Sequence, residues 1–200
     1  MERVEPRGRP EADGHVLQAA EEITRELLRY AEGEAGAFDR VVDLVYRDLR
    51  RLARRQLRRY PRRHLETTAL VHELYIRFAS GHNQIWRNRG HFYAASAKAM
   101  RHILVDEARR VSRVKRGGSL DPEPLTDRIA DQGNPDLMLR VDDALNKLAE
   151  HDPRMAQVFE CRFFAGYSSA EVADIFDTPR RTVQRDWTRA CAWLRTIVGS

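Results

Sequence analysis

Arg181, Gln184, Arg185 and Thr188 recur at steps of one, three and four residues that a helix gathers on one side. Arg can fork two donors onto guanine, Gln can pair both edges of adenine, and Thr meets either partner. The chemistry open to such a face is the reading of base edges in a DNA major groove. Arg180 lies on its flank, better placed for a phosphate. Val183, Trp187, Ala190 and Leu194 form the opposite stripe, which must be buried for the polar face to be held outward.

That helix needs a defined start and a partner. Thr178 followed by Pro179 predicts an N-cap and a first-turn proline. Ahead of it, Ser168 and Glu171 stand in capping-box spacing and open a first, shorter helix. Phe176-Asp177 ends that helix, and Asp tolerates the left-handed backbone such a turn needs. Helix, tight turn and second helix together predict a helix-turn-helix. The plainer alternative is an Arg-rich surface helix packed by its Trp.

A second constellation lies in the middle of the chain. Gly81 to Gly90 is a polar loop holding Trp86 between basic and amide side chains, among them Asn88 and Arg89. His91, Phe92 and Tyr93 follow, opening a helix that reaches about Val111. On it Lys98, Arg101, His102 and Arg109 share one face, while Met100, Ile103, Leu104 and Ala108 line the core side. Glu107 falls near the apolar side and calls for an Arg partner. Rings beside cations and amides suit single-stranded DNA, with bases stacked on the rings and the backbone following the charges. Phe92 and Tyr93 read equally well as core aromatics.

The elements that carry these residues are helical almost throughout, with no convincing period-two alternation. The expected fold is all-α: a tail over 1–18, a helical domain over 19–111, a flexible linker over 112–136, and a helix-turn-helix domain over 137–200. Ile23, Leu27, Leu28 and Tyr30 are candidate core residues of the first helix, which ends near Gly33 and Gly36. Phe38 to Tyr60 forms a long helix stopped by Pro61. Its apolar side carries Val45, Leu49, Leu52, Ala53 and Leu57, and Arg47, Arg50, Arg51, Arg54, Arg55, Arg58 and Arg59 crowd the other. That stripe is either a solvated face or a contact for nucleic acid or polymerase. A further helix over Thr68–Ser80 turns Leu70, Val71, Leu74 and Phe78 inward and presents His72, Glu73 and an outward Ile76. In the linker, Gly117, Gly118, Pro122, Pro124, Gly133 and Pro135 interrupt helix, and the charge switches from basic to acidic.

Composition bounds the function. The 200 residues carry a net charge of +5, a mild preference for acidic partners. No run is long or apolar enough to span a bilayer, and Pro6, Gly8 and Pro10 in a polar N-terminus look like neither signal nor anchor. Cys161 and Cys191, inside predicted helices and without CxxC spacing, read as free thiols in a reducing compartment, so the cytoplasm is expected. His72-Glu73 lacks the zinc-protease histidine, Ile76 standing in its place. No metal-ligand spacing, Walker loop, dinucleotide fingerprint or nucleophile elbow appears. The expectation is a protein without catalysis, cofactor, metal, membrane or small-molecule substrate.

Arranged in this order, the chain resembles a bacterial extracytoplasmic-function (ECF) sigma factor of the sigma-70 superfamily, over roughly residues 20–197. Three stretches carry the likeness: Thr68–Phe78, Trp86–Arg110, and the helix-turn-helix with Asp152–Phe164 before it. The resemblance implies core RNA polymerase and promoter DNA as partners and leaves room for an anti-sigma protein. It places His72, Glu73 and Ile76 at the polymerase clamp. Trp86, Asn88, Arg89 and His91 would fall in or beside the loop that reads the downstream (minus 10) element, with Lys98, Arg101 and His102 holding that strand's backbone. Arg180, Arg181, Gln184, Arg185 and Thr188 would read the upstream (minus 35) element. The acidic linker is similar to the segment that passes near the polymerase active site toward the RNA exit path. Ala69 and His72 stand where many relatives carry an acid and an amide, and Asp177 where Gly is common. The residues alone also fit a helix-turn-helix regulator that binds duplex DNA as a dimer without polymerase, or a helical adaptor.

Overall fold

The computed structural model describes residues 11–59, 66–80, 86–116 and 134–199, and among these it contains helices and no strand. The expected tail before Glu11, the Pro61 stop, the start of the polar loop (81–85) and linker residues 117–133 lie outside the described residues.

The first four helices are α1 (Glu11–Ala31), α2 (Ala37–Arg59), α3 (Thr67–Ser80) and α4 (Arg89–Arg116). Gly33 and Gly36, at φ 83° and 76°, turn the chain from α1 into α2 in a region closed to most side chains. Ile23 and Leu27 of α1 are buried as expected, whereas Leu28 is exposed. Val45, Leu49, Leu52 and Ala53 of α2 and Leu70, Val71, Leu74 and Phe78 of α3 are buried, following the predicted stripes.

The C-terminal part comprises α5 (Pro135–His151), α6 (Pro153–Phe159), a π-helical turn (Glu160–Phe164), α7 (Ser169–Ile175) and α8 (Arg180–Val198). Asn134 caps α5 by accepting from the Asp136 N–H, with Pro135 in the first turn. Asp152 ends α5 and caps α6, accepting from the Met155 N–H at 2.9 Å. Two segments expected to be linker are therefore helical. Residues 112–116 extend α4, and α5 begins before Leu137. Ser112 is buried, and its hydroxyl donates to Asp136 at 2.8 Å, tying the two helices together.

Helix α4 is the spine of the molecule. Its first half (Phe92, Tyr93, Ala97, Met100) lies in a core shared with α1, α2, α3 and α7. Its second half (Leu104, Val105, Ala108) lies in another, shared with α5, α6 and α8. Helix α7 thus packs directly on the N-terminal helices.

Candidate nucleic-acid and polymerase interfaces

Helix α7 opens with the predicted capping box. Ser168 accepts from the Glu171 N–H at 3.2 Å, and the Glu171 carboxylate accepts from the Ser168 N–H at 2.7 Å. Burial raises the pKa of Glu171, but the Ser168 backbone and hydroxyl and the Arg55 guanidinium outweigh it and hold the carboxyl below its ordinary value. The turn to α8 runs through Asp177 at φ 45°, the left-handed position foreseen for it. Thr178 departs from expectation: its hydroxyl donates to the Phe176 carbonyl at 3.0 Å and does not cap α8. The cap position belongs to Pro179, whose carbonyl accepts from Thr182 and Val183.

Val183, Ala190 and Leu194 are buried, and Trp187 is half-buried, stacked on Phe159 at 5.2 Å with Arg162 4.1 Å above its ring. This anchoring leaves Arg180, Arg181, Gln184, Arg185 and Thr188 exposed together on the outer side of the first turns of α8. The Thr188 hydroxyl donates to the Gln184 carbonyl at 3.0 Å. Beneath the face Asp186 is buried, paired with Arg154 at 3.1 Å and with Arg185 at 3.6 Å.

The expected downstream site divides in two. Asn88, Arg89 and His91 surround the start of α4, where Asn88 accepts from the His91 N–H at 2.8 Å and caps the helix. The His91 Nδ1 accepts in return from the Arg87 N–H at 3.4 Å. Asn88 and His91 are exposed, Arg89 is half-buried over the Tyr93 ring, and Lys98 and His102 are exposed farther along. Burial of its inner edge, with Arg101, Lys98 and Arg77 close by, lowers the pKa of His102.

Trp86 and Arg101 are placed otherwise than expected. Trp86 is 2% exposed, stacked on Tyr30 (5.5 Å) and Phe38 (5.9 Å) and edge-on to Phe78 (5.0 Å) and Phe92 (5.3 Å). An aromatic cluster of this kind fixes the loop that follows but offers no ring to a base. Arg101 is 3% exposed and reaches Asp142 at 2.7 Å, Glu160 at 2.7 Å and Asn146 at 2.5 Å, besides the Asp142 carbonyl. Two carboxylates consume its charge, so it faces α5 and the π turn and not a DNA backbone. Glu107 finds the Arg partner foreseen for it in Arg110, at 2.7 Å.

On α3, His72 is exposed, Glu73 half-buried beside Arg77 at 3.4 Å, and Ile76 43% exposed. The outward aliphatic stands over a fully formed core, so nothing in the fold accounts for it.

Three contacts were not foreseen. Arg55 and Arg51 of α2 reach Glu171 of α7 at 3.0 and 3.4 Å. Gly90 abuts α7 so closely that a Cβ there would sit 2.1 Å from the Ile175 carbonyl oxygen. The third is the Arg101 network. Each joins residues far apart in sequence, and helical periodicity carries no signal for such pairings.

Among the described residues no group of His, Cys, Asp and Glu is arranged to hold a metal ion, and no helix is long and apolar enough to cross a membrane. A family model described as ECF sigma factor matches residues 20–198. No curated protein and no solved structure matches the chain.

Proposed function

The chain belongs to the ECF sigma factor family, a family of transcription initiation, and from that premise we propose that it binds core RNA polymerase and directs it to promoters with two separate elements. The observation that carries this reading is the polar face of α8, five exposed side chains able to read bases or hold phosphates, seated on a buried stripe. Arg181, Gln184, Arg185 and Thr188 read the upstream element, and Arg180 holds its backbone.

The downstream element falls to Asn88, Arg89 and His91 at the start of α4, with Lys98 and His102 along the strand. Trp86 and Arg101 serve here as positioning residues, one holding the loop and the other holding α4 against α5. Polymerase docks on α3 through His72, Glu73 and Ile76. An anti-sigma protein remains a compatible partner. The protein selects and positions, and the chemistry of RNA synthesis belongs to the polymerase.

Co-elution of the purified chain with core RNA polymerase, followed by run-off transcription on genomic fragments, tests the proposal. Ile76→Glu should co-elute at least tenfold less while keeping the wild-type circular dichroism. A chain that stays apart from polymerase and shifts duplex DNA as a dimer would refute the reading and favour a free-standing regulator.

A further inference from the structure

Arg47, Arg50, Arg54 and Arg58 are all exposed on α2, and among the described residues none of them forms an ion pair. At about 100° and about 1.5 Å per residue they fall within a wedge of roughly 80° and extend over roughly 16 Å. Asp43, one turn before Arg47, is the acid in line with them, and it is exposed with no pairing to Arg47. Arg51 and Arg55, beside the stripe, are occupied by Asp48 and Glu171. Arg50, Arg54 and Arg58 stand four residues apart, so each successive pair repels by about 0.2–0.5 kcal/mol. No carboxylate among the described residues offsets that cost.

We propose that this stripe is a further DNA-contact surface, one that takes the phosphate backbone of duplex DNA irrespective of sequence. Guanidinium forks match phosphate oxygens in pairs, and a row of them fits a partner whose charges are regularly spaced. Single strands would call for aromatic platforms, and among the described residues the stripe has one, Tyr46, 38% exposed, at its edge. A lipid surface would call for apolar side chains beside the cations, but Leu49, Leu52 and Ala53 of α2 are spent in the core. The stripe also borders α7, through Arg51 and Arg55 on Glu171, and so lies next to the helix pair proposed for the upstream duplex. Backbone contacts of this kind add affinity and on-rate without adding base preference.

The test uses the full chain and a fluorescent duplex of random sequence, titrated by anisotropy at salt concentrations from 50 to 200 mM. Each phosphate contact contributes about 0.9 to the slope of log affinity against log salt. The variant R47Q/R50Q/R54Q/R58Q should therefore lose about 3–4 from the slope, and R54Q alone about 0.9. A slope of ~3.6 corresponds to roughly 150-fold in affinity across that salt range. Circular dichroism should match wild type, since the side chains removed are exposed and form no ion pair among the described residues; if the quadruple variant did not fold, R47Q and R54Q singly would supply the reading. An unchanged slope in folded variants overturns the proposal. So does an unchanged slope with lost co-elution of core polymerase, which would make the stripe a polymerase surface. Neither promoter nor polymerase enters the titration, so failure of the sigma reading would leave its outcome intact.

Discussion

Replacing Arg101 by Ala separates two accounts of one residue. Its guanidinium is almost wholly buried and holds Asp142 and Glu160 at 2.7 Å each. Both carboxylates are themselves buried, so the substitution leaves two anions without their shared cation, Arg109 at 3.4 Å remaining to Asp142 alone. Removing one partner of such a network costs about 3–5 kcal/mol. At about 2–4 °C per kcal/mol for a chain of this size, the thermal midpoint should fall by roughly 6–20 °C. Followed by circular dichroism, Arg101→Met combined with Asp142→Leu and Glu160→Met should recover most of the loss, because a packed apolar trio carries no desolvation cost. A backbone-contacting Arg would behave in the opposite way: Arg101→Ala would leave the midpoint within about 2 °C and lower the DNA salt slope by about 0.9. That result would refute the buried network and with it the packing of α4 against α5 and the π turn.

Gly90→Ala places a methyl group 2.1 Å from the Ile175 carbonyl oxygen and should destabilise by about 1–3 kcal/mol in thermal unfolding. If α4 and α7 did not touch in solution, the same change would stabilise by up to about 1 kcal/mol, as Ala does in a helix, so the sign decides. The stability that Glu171 confers is complete above its ordinary value of about 4.5 and is lost as pH falls through its lowered folded value. The gap in urea midpoint between wild type and Glu171→Gln should therefore shrink from pH 7 to pH 3, and a gap independent of pH would contradict the Arg55 and Ser168 contacts. Arg185→Ala and Gln184→Ala should each cost about 1–3 kcal/mol of discrimination at one upstream base pair in competition binding, with polymerase co-elution unchanged. Preference unaltered at every position would remove α8 as the reading element.

What the sequence made legible was local. Ser168 and Glu171 announce their capping box because both partners lie within one turn, and Asp177 announces its left-handed backbone by its residue type. The buried stripe of α8 follows from period alone. Arg101 was placed on an outer face with Lys98 and His102 because a helical wheel grants one core side, whereas α4 is covered from two sides by separate cores. Trp86 looked exposed because its sequence neighbours are polar, but its surroundings in space are Tyr30, Phe38, Phe78 and Phe92. The arginine-rich face of α2 is visible in the sequence, but which of its members are spent on Glu171 depends on where α7 comes to rest.

The π turn sets a rule about length. From Phe159 through Ala165 all but Arg162 are buried, and the rings of Phe159, Phe163 and Phe164 lie 4.9 to 6.4 Å apart. In uniform α geometry, positions five apart diverge by about 140°, which would drive Phe159 and Phe164 to different neighbours. The Ala165 N–H reaches back five residues to the Glu160 carbonyl, and the wider turn brings both rings into one core. Deleting a single residue here would place the two rings four apart, about 40° from each other in plain α geometry, so the helices on either side would keep their register. A residue added to the plain helix beside it would instead turn one flank by about 100° against the other, moving Phe164 relative to Glu160 and Arg101. Along this stretch the fold therefore tolerates the loss of one residue better than the gain of one.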